Sequence, residues 1–198
     1  MAMNKALVVV DVQRDFCDGG VLPAKDTPSL ISPLNIVIAS CIRSGALCVF
    51  TRDWHPSDHG SFQSQDGPWP PHCIQGTPGA EFATGLQFPD SGLVIDIEKD
   101  SNTHNMGYSA FENTNLAVEL RNRHIQEIAA CGIATEYCVK ATVLDALRSG
   151  FLVSVLTDLV RPIDITPNDS SKALTEMVAS GVMLLTSNEW MKTLEAAP

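Results

Sequence analysis

Short apolar runs alternate with longer segments of helical spacing along most of the chain. The runs that predict strands are residues 6–10, 46–51, 93–97, 125–131, 151–156 and 182–185. These runs are nearly continuous and rich in β-branched residues, whereas half-exposed strands alternate apolar with polar residues. Such runs are typical of parallel strands that are covered on both faces.

Segments with an apolar residue at every third or fourth position predict helices between the strands. The first is expected to begin with Ser29 or Ser32 as its cap and to end at Gly45. Its apolar face is Leu34, Val37, Ile38, Cys41 and Ile42. Further helices are expected from Asn113 or Thr114 to 123, from 135 to 149 before Gly150, and from 170 to 180.

This order of elements favours a right-handed series of β-α-β units. We therefore expect an α/β fold, with one doubly wound, Rossmann-like sheet of about six mainly parallel strands and helices on both of its faces. Residues 54–91 interrupt the pattern, because they are rich in Pro, Gly, His and polar residues and show no clear period except near 80–83. A loop this long in a compact domain is usually functional.

Composition and charge narrow the class of protein. The 198 residues are 44% hydrophobic, with no shift in composition, so we expect one domain over 1–198 with a core at about 6–186. The net charge of -10, with scattered Lys and Arg, argues against a nucleic acid partner. No apolar run reaches the roughly 18 residues of a membrane span, and residues 1–4 do not resemble the start of a signal peptide. A cytoplasmic protein is expected.

Cysteine usage agrees with a reducing compartment. The six cysteines include no Cys-x-x-Cys pair, which argues against a disulfide scaffold. Cys41, Cys48 and Cys131 lie in apolar segments and are interpreted as reduced core residues.

Several chemically active residues follow the carboxyl ends of predicted strands, the edge at which doubly wound sheets bind ligands. Asp11 follows the first strand and Lys99 the third, while Gly132 permits a sharp turn after the fourth. Cys138 falls in the first turn of the next helix, with Thr135 as the expected cap, where the helix dipole favours a thiolate and backbone N–H groups could hold an oxyanion. Each residue alone has an ordinary structural interpretation, but together they supply a base, a cation and a nucleophile.

The loop 53–91 contains a candidate metal site. Asp53 and His55 are two residues apart, and His59 and His72 add further nitrogen ligands. Mixed imidazole and carboxylate ligands suit zinc, with iron or manganese as alternatives. From the spacing alone, solvated histidines remain an equal alternative.

Six ordered motifs carry a resemblance to a known family. They are Asp-Val-Gln-x-Asp-Phe at 11–16, Asp-Trp-His-Pro-x-x-His-x-Ser-Phe at 53–62, Trp-Pro-x-His-Cys at 69–73, Lys99, Tyr-Ser-x-Phe at 108–111 and Cys-Gly-x-Ala-Thr-x-x-Cys-Val at 131–139. The chain resembles the nicotinamidase (pyrazinamidase) branch of the isochorismatase-like cysteine hydrolases, in order from about residue 6 to 186. The two motifs of the 53–91 loop carry the resemblance to that branch.

The resemblance implies a role for each part of the site. It implies that Asp11, Lys99 and Cys138 form a catalytic triad, and that the N–H groups of Ala134 and Cys138 form an oxyanion hole after a cis peptide bond. The implied metal ligands are Asp53, His55 and His72, with His59 as a candidate fourth, and the implied pocket walls are Phe16, Trp69 and Tyr108.

The implied reaction is deamidation of nicotinamide, and of pyrazinamide, through a thioester, as a step of NAD salvage. Three alternatives stay open: an amidase of the same superfamily that acts on carbamoyl or ureido compounds, a non-catalytic metal-binding protein of the same fold, and isochorismate hydrolysis, which the cysteine and the metal motif disfavour. Asp100 stands where many relatives have Gly, the role of Tyr137 is open, and Gln65 and Asp66 are weak candidates for ligands. A homo-oligomer is neither indicated nor excluded.

Overall fold

The computed structural model describes residues 4–89, 93–97 and 107–195. Within these ranges one sheet contains six strands: β1 (Asn4–Val10), β2 (Leu47–Asp53), β3 (Leu93–Ile97), β4 (Ile125–Ile133), β5 (Leu152–Arg161) and β6 (Met183–Leu185). Their order across the sheet is β3-β2-β1-β4-β5-β6, and every neighbouring pair is parallel. The predicted fold class is confirmed.

Helices cover both faces of the sheet. They are α1 (Ile31–Ser44), α2 (Leu116–Asn122), α3 (Lys140–Arg148), α4 (Asp169–Ala179) and α5 (Ser187–Glu195). Because successive residues of a strand point to opposite faces, β1 divides its side chains between two cores. Leu7 and Val9 pack with residues of α1 and α5, whereas Ala6, Val8 and Val10 pack with residues of α2, α3 and α4.

The helix α5 extends the fold beyond the last predicted element. Its Trp190 is fully buried in the same core as α1. A capping box marks the start of the helix, because Glu189 accepts the Thr186 N–H at 2.7 Å and the Thr186 hydroxyl accepts the Glu189 N–H at 3.3 Å. The spacing Thr-x-x-Glu was a usable signal in the sequence.

The predicted caps of α1 are wrong. The helix begins after Leu30, with no side-chain cap, and the Ser29 hydroxyl donates to Asp26 instead. Ile42, predicted on the apolar face, is 52% exposed. The predicted end is confirmed, since Gly45 has a φ of 74° and its N–H bonds to carbonyls of the last turn.

The strand β5 is longer than predicted, since it continues to Arg161 beyond a large bulge in its pairing with β4. Ala130 pairs with Val155, but two residues later Gly132 pairs with Val160. Polar residues inside the bulge ended the apolar run that predicted the strand. One of them, Asp158, accepts both the N–H (2.8 Å) and the hydroxyl (2.6 Å) of Ser187 at the start of α5.

Residues 54–89 contain only short 3-10 turns and isolated bridges, including a turn at Pro78–Ala80, near the period noted at 80–83. Side chains from the end of β1 hold this segment. The Gln13 amide donates to the carbonyls of Asp53 and Ala80, each at 2.8 Å, and accepts the Asp53 N–H at 2.8 Å. These bonds fold the long segment over the carboxyl edge of the sheet. Among the described residues, no helix has the length and apolar character to cross a membrane.

Candidate active site

Asp11 is held between the ends of β1 and β2. Its carboxylate is fully buried and accepts the Thr51 hydroxyl at 2.6 Å, while its N–H donates to the Thr51 carbonyl at 3.2 Å. Its φ of 48° places it in the left-handed region, which Asp tolerates better than most residues. Two strands therefore fix the direction of this carboxylate.

The turn after β4 carries Cys138. The peptide bond between Ile133 and Ala134 is cis, as the resemblance implied. The predicted α-helical first turn is a π-helix, Thr135–Val139, in which the Val139 N–H reaches back five residues to the Ala134 carbonyl at 3.1 Å. The expected cap by Thr135 is wrong, because Ala134 precedes the helix and the buried Thr135 hydroxyl has no partner among the described residues. A single wide turn has nearly the same sequence pattern as an α-helix.

Gly132 brings β4 against β1 just before this turn. Its φ is 113°, and a Cβ atom at this position would lie 2.0 Å from the Val10 carbonyl oxygen. The expected need for glycine is confirmed, with close backbone contact as a second reason.

Three functional groups converge at this edge. A carboxylate oxygen of Asp11, one of Asp53 and the Cys138 sulfur all lie within 4.8 Å of one another, and the three residues are buried. Their convergence agrees with the prediction that strand ends meet at one edge. Lys99, the third predicted member of the triad, and Asp100 lie outside the described residues, so the role of Lys99 stays a prediction.

Asp53 also belongs to a second group, which could hold a divalent metal ion. Its Oδ2 lies 3.4 Å from His55 Nε2 and 3.7 Å from His72 Nε2, and all three residues are buried. His72 Nδ1 lies 2.7 Å from the Pro70 carbonyl oxygen, which can only accept, so this nitrogen carries the proton and Nε2 is left as a donor for a metal. The donor set therefore fits a borderline divalent ion.

His59 lies beside this group without being one of the three donors. Its ring centroid is 4.2 Å from that of His55, and its Nδ1 is 2.7 Å from the Ser61 hydroxyl oxygen. His59 as a fourth ligand stays a prediction. The weak candidates Gln65 and Asp66 are both exposed.

Aromatic rings surround the histidines. The Trp69 indole N–H donates to the Tyr108 hydroxyl at 2.9 Å, and the Phe16 ring lies 5.5 Å from that of His72. Tyr137 completes this cluster, with its ring 5.0 Å from Trp69 and 5.6 Å from Tyr108. Burial raises the pKa of the Tyr137 phenol. The structure thus places Phe16 and Trp69 beside His72 and joins Tyr108 and Tyr137 to Trp69, while the role of Phe16, Trp69 and Tyr108 as pocket walls stays a prediction.

Two positioning residues were overlooked in the sequence. Gln13 joins the metal loop to β1, and the Asp15 carboxylate accepts the Cys73 N–H at 2.7 Å, next to His72. A Cβ on Gly79 would lie 2.3 Å from the Asp15 carboxylate, so any larger residue would displace this carboxylate from its bond to Cys73. In the sequence, the signal for Gln13 and Asp15 was a polar residue shortly after a buried strand.

The other thiols have structural roles. None of the six cysteines, all of which the structure describes, forms a disulfide, and Cys41, Cys48 and Cys131 are buried in the core, as predicted. Burial raises the pKa of the Cys131 thiol.

Comparison with known proteins agrees with this site. An isochorismatase domain model matches residues 5–189. The nicotinamidase of Escherichia coli is 38% identical over 210 residues, covering 96% of this chain and 98% of that protein. A crystal structure of the pyrazinamidase of Pyrococcus horikoshii in complex with zinc has a TM-score of 0.86 and 44% identity, covering 92% and 99% of the two chains. PnC1 from L. infantum in complex with nicotinate has a TM-score of 0.84 and 34% identity, covering 95% of each chain. The chain therefore belongs to the isochorismatase family.

Proposed function

We propose that the chain is a metal-containing cysteine amidohydrolase that converts nicotinamide to nicotinate and ammonia and serves NAD salvage. Pyrazinamide, which presents the same carboxamide on a similar ring, is the proposed second substrate. One observation carries the proposal. Asp53 is shared by the group that contains Asp11 and Cys138 and by the group that contains His55 and His72.

In the proposed reaction Asp11 accepts the proton of the Cys138 thiol, and the thiolate attacks the carboxamide carbon. The N–H groups of Ala134 and Cys138 hold the resulting oxyanion, and Lys99 balances the negative charge. Each N–H donor of an oxyanion hole stabilises the transition state by about 3 to 4 kcal/mol.

Collapse of the tetrahedral intermediate breaks the C–N bond. Asp11 returns its proton to the leaving nitrogen, which departs as ammonia and leaves a thioester on Cys138. The same carboxylate then accepts a proton from water, which hydrolyses the thioester to nicotinate and restores the thiol.

The aromatic cluster and the metal group would orient the substrate. Phe16, Trp69 and Tyr108 offer flat surfaces for a pyridine ring. An ion held by Asp53, His55 and His72, with zinc proposed and iron or manganese as alternatives, would supply a Lewis acid for the ring nitrogen. His59 is the proposed fourth ligand.

The test is ammonia release from nicotinamide by the wild-type protein and by Cys138→Ala, each with and without a chelator. We expect release by the wild type and none by the variant, and Cys17→Ala serves as a control because that thiol is half-buried outside the site. Ammonia from an N-carbamoyl compound but not from nicotinamide would favour the alternative amidase. A metal-loaded wild type without any turnover would favour a binding protein.

We also propose a cytoplasmic location. It is supported by six cysteines that form no disulfide, because proteins of oxidising compartments usually join their cysteines in disulfides.

A further inference from the structure

Glu136 links the turn that carries Cys138 to a distant loop. It lies in the π-helix two residues before the cysteine. Its Oε1 accepts the N–H of Ile163 at 3.0 Å and that of Asp164 at 2.5 Å, in the loop between β5 and α4. A carboxylate oxygen that accepts two neighbouring N–H groups holds the two backbones at a fixed separation.

The loop around Asp164 is itself firmly anchored. The Asp164 carboxylate accepts the Ser170 N–H at 2.9 Å in the first turn of α4 and the Lys25 ammonium at 3.1 Å. The Lys25 N–H donates to the Pro162 carbonyl at 2.8 Å. Glu136 therefore bonds to a loop that α4 and Lys25 hold in place independently.

The π-helix Thr135–Val139 directs two N–H groups at one carbonyl. The N–H groups of Tyr137 and Val139 both converge on the Ala134 carbonyl, each at 3.1 Å. The neighbouring Thr135 hydroxyl has no partner among the described residues. π-helical turns are rarer than α-helical turns and are frequent at functional sites. The bonds of Glu136 support this turn immediately before the nucleophile.

We propose that Glu136 is a positioning residue for Cys138, and that it acts as a hydrogen-bond acceptor for the 163–164 loop. It touches no reacting atom. The inference deepens the proposed function and rests on it for the role of Cys138. A displacement of about 1 Å at a reacting group can cost about 100-fold in rate, so loss of this link affects turnover before it affects substrate binding.

The test compares Glu136→Ala with Glu136→Gln, because glutamine keeps an oxygen that can accept both N–H groups but removes the charge. Glu176→Ala is the matched control, since it removes an exposed carboxylate of α4 that pairs with Lys140 of α3. The measurements are kcat, KM and the rate at which iodoacetamide alkylates Cys138, followed by peptide mass across a pH series. For Glu136→Ala we expect a kcat about 10 to 100 times lower, with KM within about threefold of the wild type.

Alkylation of Cys138 in Glu136→Ala should slow and change its pH profile, whereas Glu136→Gln and Glu176→Ala should keep kcat and alkylation within about threefold of the wild type. Wild-type kcat and alkylation in Glu136→Ala would overturn the proposal, and equal impairment of the Gln variant would overturn the acceptor role in favour of charge. Should the alanine variant fail to fold, Glu136→Asp, which is one methylene shorter, takes its place under the same criteria. If the wild type releases no ammonia from nicotinamide, the proposed function fails, while the alkylation series still decides the role of Glu136.

Discussion

The two halves of the site are held by different kinds of structure. The nucleophile half, Asp11 and the turn 132–138, follows the two central strands β1 and β4, which are hydrogen-bonded on both sides. The metal half, residues 53–73, begins at the end of β2 and continues through a segment without strands or α-helices. Its shape depends on side chains such as Gln13 and Asp15 that bond to its backbone.

This difference separates chemistry from substrate choice. A ladder of backbone bonds does not depend on side-chain identity, so the edge of the sheet can keep a nucleophile and a base in place while nearby loops vary. The loop lacks such a ladder. It is held by scattered backbone bonds, such as that from the Gln63 N–H to the Trp69 carbonyl at 2.7 Å, by buried side chains such as Phe62, and by a few polar side chains and the ion they could bind. Changes in one half should therefore affect the other mainly through Asp53, the residue that the two groups share.

Asp11→Asn should have the largest effect on activity. Asparagine keeps an oxygen for the Thr51 hydroxyl but cannot accept the thiol proton, so kcat should fall about 10²- to 10⁴-fold. Metal content by elemental analysis should stay near the wild-type value, because Asp11 is not one of the three proposed donors Asp53, His55 and His72. Asp58→Asn, an exposed carboxylate in the loop, is the control. Activity close to that of the wild type in Asp11→Asn would end its assignment as the base.

Gly132→Ala should destabilise the nucleophile half through the backbone. The added Cβ would lie 2.0 Å from the Val10 carbonyl oxygen at a φ of 113°. Strain and overpacking together should lower the free energy of unfolding by about 2 to 4 kcal/mol, measured by urea denaturation. Gly150→Ala separates the two causes, because that glycine has a φ of 90° but no atom within 4 Å of the added Cβ. Equal losses in the two variants would show that close contact with β1 is unimportant.

His72→Ala should change the metal half alone. Loss of one donor should lower metal affinity by at least about 10- to 100-fold, measured by competition with a chelator, and should weaken substrate binding. Alkylation of Cys138 should proceed at the same rate in the metal-free wild type and the metal-free variant, since the strands hold the nucleophile half in shape without the ion. His124→Asn is the control, because that exposed histidine lies far along the chain and its φ of 56° is one that Asn tolerates. Unchanged metal content would remove His72 from the ligands.

The difference between the two halves explains which features could be predicted from the sequence. Continuous apolar runs located all six strands, so the convergence of Asp11, Asp53 and Cys138 followed from parallel strands ending at one edge. The metal half has no period, and the spacing of Asp53, His55 and His72 left solvated histidines as an equal alternative until the motifs were compared. The predicted pocket walls rest on the resemblance alone.

The features that the sequence did not predict depend on which partners individual side chains bond to in the folded chain. Ser29 and Thr135 are residue types that often cap helices. The Ser29 hydroxyl bonds to Asp26 instead, and the Thr135 hydroxyl has no partner among the described residues, which only the structure shows. Gln13 and Asp15 stabilise a loop whose path the sequence does not specify. The start of α5, in contrast, carried a readable capping box, and the helix could have been predicted.

The smallest expected effect is on stability and concerns Asp164, in the loop to which Glu136 bonds. The N–H of Ser170 holds the pKa of the Asp164 carboxyl below its usual range, with help from Lys25. Because the folded-state pKa is lowered, this carboxylate stabilises the fold fully above the unfolded pKa of about 3.9, and the contribution disappears as the pH falls through the lower folded value.

Asp164→Asn should therefore lower the free energy of unfolding by about 0.3 to 1 kcal/mol near neutral pH, because asparagine can still accept the Ser170 N–H but loses the negative charge beside the start of α4 and Lys25. The difference from the wild type should shrink towards zero in urea titrations run at pH values below the folded pKa. Turnover should change little, because the variant keeps the Asp164 backbone N–H that Glu136 accepts. A stability difference that persists at low pH would mean that the asparagine disturbs the loop for another reason, and a large fall in kcat would show that the nucleophile half depends on the Asp164 side chain directly.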